Sequence, residues 1–146
     1  MPVLEVFGAE ALRDTVITFR DTMKRHAAGI NLLNVYPVPD GDTGTNMSRT
    51  LDAVVAELEG AGPEMDATCK AISHGSLMGA RGNSGVILSQ ILRGLVATIN
   101  ESSDGKVNAA RMADALKRAS AAAYEAVLKP IEGTILTVVR EAADGA

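Results

Sequence analysis

Asp40-Gly41-Asp42-Thr43-Gly44-Thr45-Asn46 places two carboxylates, two glycines and two hydroxyls immediately before an apolar helical stripe. Carboxylate oxygens are hard ligands, and Mg²⁺ is commonly held by one or two of them while water and substrate phosphates fill the other positions. Asp40 and Asp42 are therefore candidate metal ligands. Pro37 and Pro39 would keep the approach extended, and Gly41 and Gly44 would let the backbone turn tightly. A purely local reading stays open for the same residues, with Asp42 or Thr43 capping the next helix and Asp40 forming a turn. A calcium EF-hand does not fit: counted from Asp40, Thr45 takes the position that needs glycine and Leu51 the position that needs a bidentate Glu.

The second stretch with chemical potential is Ser73-His74-Gly75-Ser76-Leu77-Met78-Gly79-Ala80-Arg81-Gly82-Asn83-Ser84-Gly85, ahead of the most apolar segment of the chain. Free backbone N–H groups at a helix start, the positive end of the helix dipole and glycines that allow close approach together make a phosphate site. Asn83 and Ser84 add side-chain donors, and Arg81 adds a charge that either meets phosphate or lies solvated. The stretch lacks the Gly-Lys-Ser/Thr ending of a P-loop, has the wrong glycine spacing for a dinucleotide fingerprint, and follows no strand. The alternative is again local: Gly75, Gly79 and Gly82 would permit a tight helix crossing, and Asn83 or Ser84 would be an ordinary cap. Side by side, an acidic metal loop and a neutral phosphate cradle are the two halves of a Mg-nucleotide site. His74, beside the glycines, and His26 are each as well explained by surface or packing roles.

These two segments need a scaffold, and the apolar periodicity supplies only helices. Leu12, Val16, Phe19 and Met23 form one face of a first helix expected to stop at Gly29. Met47, Leu51, Val54 and Leu58 form a second, ending at Gly60, and Pro63 suits the first turn of a third that carries Met65, Cys69 and Ile72. Between Val86 and Val96 apolar residues cover most of the circumference, so this fourth helix should be central. Asn108 is placed to cap a fifth with Met112, Leu116, Ala119, Ala123 and Val127 inward and Pro130 as its stop. Thr134 is placed to cap a sixth that begins with Ile135, Val138 and Val139. The Ala-rich run from Ala119 reads as close helix packing. No segment has the alternation of a half-buried strand, so the expected class is all-α, one domain over residues 1–146.

Composition narrows the partners. A net charge of −4 without a Lys/Arg stripe argues against nucleic acid, and two Tyr, two Phe and no Trp leave little to stack on bases. Cys69 is the sole cysteine, which excludes an internal disulfide. The N-terminus has no signal-peptide pattern and no run is long enough for a membrane span, so a cytoplasmic location is expected.

The motifs NVYPVPDGDTGTNM and GSLMGARGNSGVILSQILRG resemble the nucleotide-binding subunit of the dihydroxyacetone kinase family, and within it the N-terminal kinase domain of the fatty acid kinases. The similarity extends through Lys129-Pro130-Ile131-Glu132-Gly133-Thr134. The resemblance implies an antiparallel up-and-down helix barrel of about eight helices, here cut to about six as the N-terminal fragment of a longer protein. It further implies ATP or ADP and two Mg²⁺ ions at one end. Asp40 and Asp42 would ligate metal, Thr43, Gly44, Asn46 and Met47 would border the nucleotide, and Gly82, Asn83, Ser84 and Gly85 would hold phosphate. Arg81 would assist transfer, and Gly133 and Thr134 would lie near the same end. Dihydroxyacetone kinases usually carry a further metal-binding Asp ahead of the Asp-Gly-Asp; here Asn34 stands nearby, a candidate ligand through its carbonyl oxygen. The implied reaction is phosphorylation of a fatty-acid carboxylate presented by an acyl-carrying protein. The implied assembly is a homodimer formed through regions beyond this segment. The alternatives are the nucleotide-binding subunit of a dihydroxyacetone kinase and a non-catalytic nucleotide-binding module.

Overall fold

Each apolar stripe becomes a helix, and consecutive helices reverse direction. The computed structural model describes residues 6–34 and 40–146. Pro37 and Pro39, expected to hold the chain extended, lie outside the described residues. Six helices are present among the described residues: α1 (Ala9–Leu33), α2 (Thr43–Glu59), α3 (Met65–Gly79), α4 (Gly82–Ile99), α5 (Ala109–Glu125) and α6 (Ile135–Gly145). The expected all-α class holds. The one β-type pairing among these residues is an isolated bridge in which Phe7 and Val107 exchange backbone hydrogen bonds of 2.8 Å, fastening the entry of α1 to the α4–α5 connection.

The second stripe is fully realised: Met47, Leu51, Val54 and Leu58 are all buried, and Gly60 caps the C-terminus of α2. Three boundaries and one buried face depart from expectation. α1 does not stop at Gly29 but continues a turn further to Leu33. A helical glycine costs only about 1 kcal/mol relative to Ala, and the extra turn carries Asn31 into two hydrogen bonds with Thr45. Pro63 lies ahead of the N-cap Glu64, outside the first turn of α3. α5 ends at Glu125, well before Pro130. In α6 the buried face is Leu136, Val139 and Ala143, and Val138 points outward at 68 % exposure. Asn108 and Thr134 do cap their helices, accepting from the N–H groups of Arg111 and Leu136.

One core joins α1 to α4 with Val107 and Ala115, around the fully buried Leu51, Val54, Ile72 and Ile99. Side chains of this size each stabilise the fold by about 1.5–3 kcal/mol when withdrawn from water. A second core forms where Ala119 and Ala123 of α5 meet Leu136 and Val139 of α6, with Ile87, Ile91 and Leu95 of α4 against it. α4 thus touches both cores, as its apolar circumference predicts, although Val86 is turned to solvent. The Ala-rich stretch of α5 serves close packing: a Cβ on Gly94 would meet the carbonyl oxygen of Arg118 at 2.8 Å and Cα of Ala119 at 3.1 Å. At the end of the bundle away from the Asp-Gly-Asp loop, Arg13 donates to the carbonyl oxygens of Leu58, Ala61 and Gly62 and to Oγ1 of Thr68, pinning the α2–α3 turn. No described helix is long and apolar enough to cross a membrane.

Candidate functional site

The alternating helix directions bring the N-termini of α2, α4 and α6 to one end. The contact that decides whether the two chemical segments can act together is between α2 and α4. Arg81, the N-cap of α4, donates its backbone N–H to Oγ1 of Thr50 at 3.2 Å, and Thr50 in turn donates to the carbonyl of Asn46 at 2.8 Å. Gly82 has φ +66°, and a Cβ there would lie 3.0 Å from Cγ of Asn46 and closer still to its Nδ2. A Cβ on Gly85 would stand 2.5 Å from Oγ1 of Thr50. The acidic loop and the start of the most apolar helix therefore share one mouth.

The glycine-rich stretch is not one long loop. Ser73 to Gly79 form the last turns of α3, and only Ala80 and Arg81 separate α3 from α4. Gly75 and Gly79 have the packing role: a Cβ on Gly75 would meet Cγ of Glu57 at 2.9 Å and Cα of Val54 at 3.0 Å, and one on Gly79 would collide with Cβ of Ala53. The chemistry begins at Gly82. Gly85 N–H makes the first bond to the Arg81 carbonyl at 3.1 Å, and Arg81 offers no side-chain cap. The N–H groups of Gly82, Asn83 and Ser84 precede that bond and meet no protein acceptor among the described residues. Three unpaired donors at the positive end of an 18-residue helix form an anion cradle. Asn83 is exposed and Ser84 half-buried beside it, and Arg81 is exposed with no ion pair among the described residues.

At the start of α2, Asp42 holds the N-cap position but its carboxylate makes no capping bond. The local reading of Asp42 as a cap thus fails, and its oxygens remain available. The capping work comes from another helix: Oδ1 of Asn31 accepts from the N–H of Thr45 at 3.1 Å, and its Nδ2 donates to Oγ1 of Thr45 at 2.9 Å. Asn34 donates from Nδ2 to Oδ1 of Asp40 at 2.6 Å, so Asn34 and Asp40 adjoin. Asp40 and Asp42 are both exposed. No cluster of three or more His, Cys, Asp or Glu exists among the described residues, so a metal here would have two carboxylates at most and would need other oxygens.

Other site candidates are sorted by position. Thr43 and Asn46 are half-buried at the mouth. Gly44 and Met47 are buried; a Cβ on Gly44 would meet Cα of Ala27 at 2.8 Å, so its visible role is the close crossing of α1 and α2. Thr134 commits its hydroxyl to capping α6 and to the carbonyl of Ile131 at 2.8 Å. His74 pairs with Glu57 at 2.8 Å, about 21 Å along α2 from its first residue, and is no part of the mouth. An open, Ala-lined groove of about 830 Å³ lies in that same outer region between α2 and α3. Sequence reasoning missed Asn31 and Thr50, whose roles depend on a partner in another helix. No sequence signal marked either one: Asn31 lies in the last turn of α1 and Thr50 is the eighth residue of α2.

The DAK2 domain family matches residues 37–146, which is most of the chain and includes Asp40 to Met47 and Arg81 to Gly85. An uncharacterised protein of Staphylococcus aureus strain USA300 is 45 % identical over 145 residues, covering 99 % of this chain and 26 % of its own length. The counterpart in strain N315 has the same figures. The chain spans about a quarter of the length of the curated relatives it matches. With its antiparallel helices and shared mouth, the chain belongs to the DAK2 domain family, the helical nucleotide-binding module of the dihydroxyacetone kinase type.

Proposed function

We propose that this chain is the ATP-binding part of a Mg²⁺-dependent kinase that phosphorylates the carboxylate of a protein-bound fatty acid. The observation that carries the reading is the contact of Asn46 and Thr50 with Gly82, Gly85 and Arg81, which sets an exposed carboxylate pair beside an uncapped helix start. The donor set suits magnesium: Asp40 and Asp42 offer hard oxygens, Asn34 adds a carbonyl, and two ions completed by water and phosphate fit so open a site. Bound there, Mg²⁺ would neutralise phosphate charge.

The chain's own part is placement and electrostatics. The N–H groups of Gly82, Asn83 and Ser84 hold phosphate oxygens, Thr43 and Asn46 border the nucleotide, and Arg81 faces charge that spreads over the transferred group. A carboxylate oxygen forms a bond to the γ-phosphorus as the bond to the β-phosphate oxygen breaks, giving acyl phosphate and ADP. The nucleophile is already ionised, so no general base is required.

The surface around the mouth supports an apolar acceptor over a small polar triose. Leu32 and Leu33 at the end of α1, Leu77 and Met78 at the end of α3, and Leu128 after α5 are each at least 61 % exposed, and all belong to this end. Such a collar fits a macromolecular partner that seals water from the transfer. Calorimetric titration with a non-hydrolysable ATP analogue, with and without Mg²⁺, tests the nucleotide reading. Binding should require Mg²⁺ and vanish in Asp40→Ala with Asp42→Ala; undiminished binding in that double variant overturns it. For the acceptor, Leu77→Ser with Met78→Ser should lower phosphate transfer to an acyl-loaded carrier protein while leaving analogue affinity intact. Unchanged transfer would remove the support for a docked carrier.

A further inference from the structure

Five of the N-caps hold the extended backbone from which a side chain can reach back over its own helix: ψ is −174° at Gly8, 153° at Glu64, 124° at Arg81, 175° at Asn108 and −172° at Thr134. Asp42 is the exception, with ψ 4°. Aspartate is among the preferred capping residues, yet this one makes no capping bond. Asn108 shows the ordinary arrangement: its Oδ1 accepts from the N–H of Arg111, three residues on, at 2.9 Å. The equivalent amide in α2 belongs to Thr45, and it goes to Oδ1 of Asn31 at 3.1 Å. Nδ2 of Asn31 donates to Oγ1 of the same threonine at 2.9 Å, so both polar atoms of this side chain are committed to Thr45.

The backbone of Asn31 holds the other end of the acidic loop. Its carbonyl accepts the N–H of Asn34 at 3.2 Å, and Nδ2 of Asn34 donates to Oδ1 of Asp40 at 2.6 Å. A Cβ on Gly41, at φ +67°, would stand 3.7 Å from that same carbonyl oxygen. One residue of α1 thus bears on the loop from both sides of Asp40-Gly41-Asp42. An aspartate that caps its own helix gives an oxygen to the helix amide and is fixed over the helix start. Relieved of the cap, it keeps both oxygens for a cation.

We propose that Asn31 is a positioning residue for the metal: by capping α2 from α1 it occupies the amide that Asp42 would otherwise take, and so keeps the Asp42 carboxylate available to Mg²⁺. This rests on the metal-nucleotide reading of the mouth. In Asn31→Ala the N–H of Thr45 loses its acceptor, and rotation of ψ at Asp42 towards the extended value brings in the carboxylate as a replacement. The helix keeps its cap and the metal loses a ligand.

The test compares Asn31→Ala and Asn31→Asp with the parent in the whole protein. It measures the Mg²⁺ concentration for half-maximal binding of a non-hydrolysable ATP analogue, the thermal midpoint, and amide hydrogen exchange at Thr45. Asn31→Ala should need about tenfold more Mg²⁺, the usual scale when a group that orients a metal ligand is lost, and saturating Mg²⁺ should restore parental analogue affinity. Its Thr45 amide should stay as protected as in the parent and its thermal midpoint should move little, because Asp42 takes over the cap. Asn31→Asp keeps an acceptor for Thr45 and should not raise the Mg²⁺ requirement. A parental Mg²⁺ requirement in Asn31→Ala, or a raised one in Asn31→Asp, overturns the proposal. So does an affinity loss in Asn31→Ala that saturating Mg²⁺ does not repair, an unprotected Thr45 amide, or failure of that variant to fold, each of which makes Asn31 a structural residue of the α1–α2 crossing. If the parent itself fails to bind the analogue with Mg²⁺, the nucleotide reading falls and this role with it; a binding parent whose variants share its Mg²⁺ requirement removes only the role of Asn31.

Discussion

Gly82→Ala is the sharpest perturbation of the mouth because two separable costs meet at one atom. At φ +66° an alanine suffers the left-handed penalty of about 1–2 kcal/mol. Its Cβ would also lie 3.0 Å from Cγ of Asn46 and nearer its Nδ2, so the Asn46 side chain must move or α4 must tilt. Gly105 supplies the matched control: φ is +68°, but its Cβ would meet only Cβ of Met65, at an ordinary 3.5 Å, in the α4–α5 connection at the opposite end. Both variants should lose about 1–2 kcal/mol of stability, or about 2–8 °C in thermal midpoint. Only Gly82→Ala should also lose nucleotide affinity. Misdirecting one N–H donor to a charged phosphate removes about 1.5–3 kcal/mol, which is roughly a tenfold to hundredfold rise in Kd. Thermal unfolding and calorimetric titration of the pair measure the two costs separately. Parental affinity in Gly82→Ala, or an equal loss of affinity in Gly105→Ala, would refute the claim that the first N–H groups of α4 hold phosphate.

Three further outcomes follow from the packing. Gly44→Ala drives a Cβ into the backbone of Ala27, which cannot yield, so urea unfolding should show a loss of about 1–3 kcal/mol. Arg13→Met keeps the aliphatic stem but removes the donors to Leu58, Ala61, Gly62 and Thr68; it should cost about 2 kcal/mol and leave analogue binding untouched. Burial pushes the Cys69 thiol from 9.0 up to about 11, so the folded state favours the neutral form. That contribution is complete below pH 9.0 and fades as pH climbs towards about 11, visible as a falling urea midpoint and as thiol labelling that tracks unfolding.

The stripes made the helices legible because burial on one face is a local, periodic demand: Met47, Leu51, Val54 and Leu58 could have no other arrangement and all became core. What escaped detection depended on partners far along the chain. Gly29 reads as a stop until Asn31, one turn later, is known to bind Thr45. For Gly75 and Gly79 the phosphate and packing readings could not be separated until α2 was seen to lie where their side chains would be. The two halves of the site were visible as motifs. Their meeting was expected from that pairing, but the contact that makes it was not, because it depends on Thr50 accepting from Arg81 and nothing in either segment marks that threonine.

Gly75, Gly79, Gly82 and Gly85 all face α2, and they meet it progressively closer to its N-terminus until Gly82 reaches Asn46. The first two set how deeply α3 lies against α2. Because only Ala80 and Arg81 intervene, that depth also determines where α4 begins. The cradle is therefore positioned by a helix crossing that contains none of its donors. The glycine run has a structural half and a chemical half joined by a connection too short to decouple them, so the packing and phosphate-binding readings are successive steps of one arrangement. Asp40 and Asp42 precede α2, whose first turns bear Asn46 and Thr50, so the same crossing sets the distance between carboxylates and amides on which a Mg-nucleotide site depends.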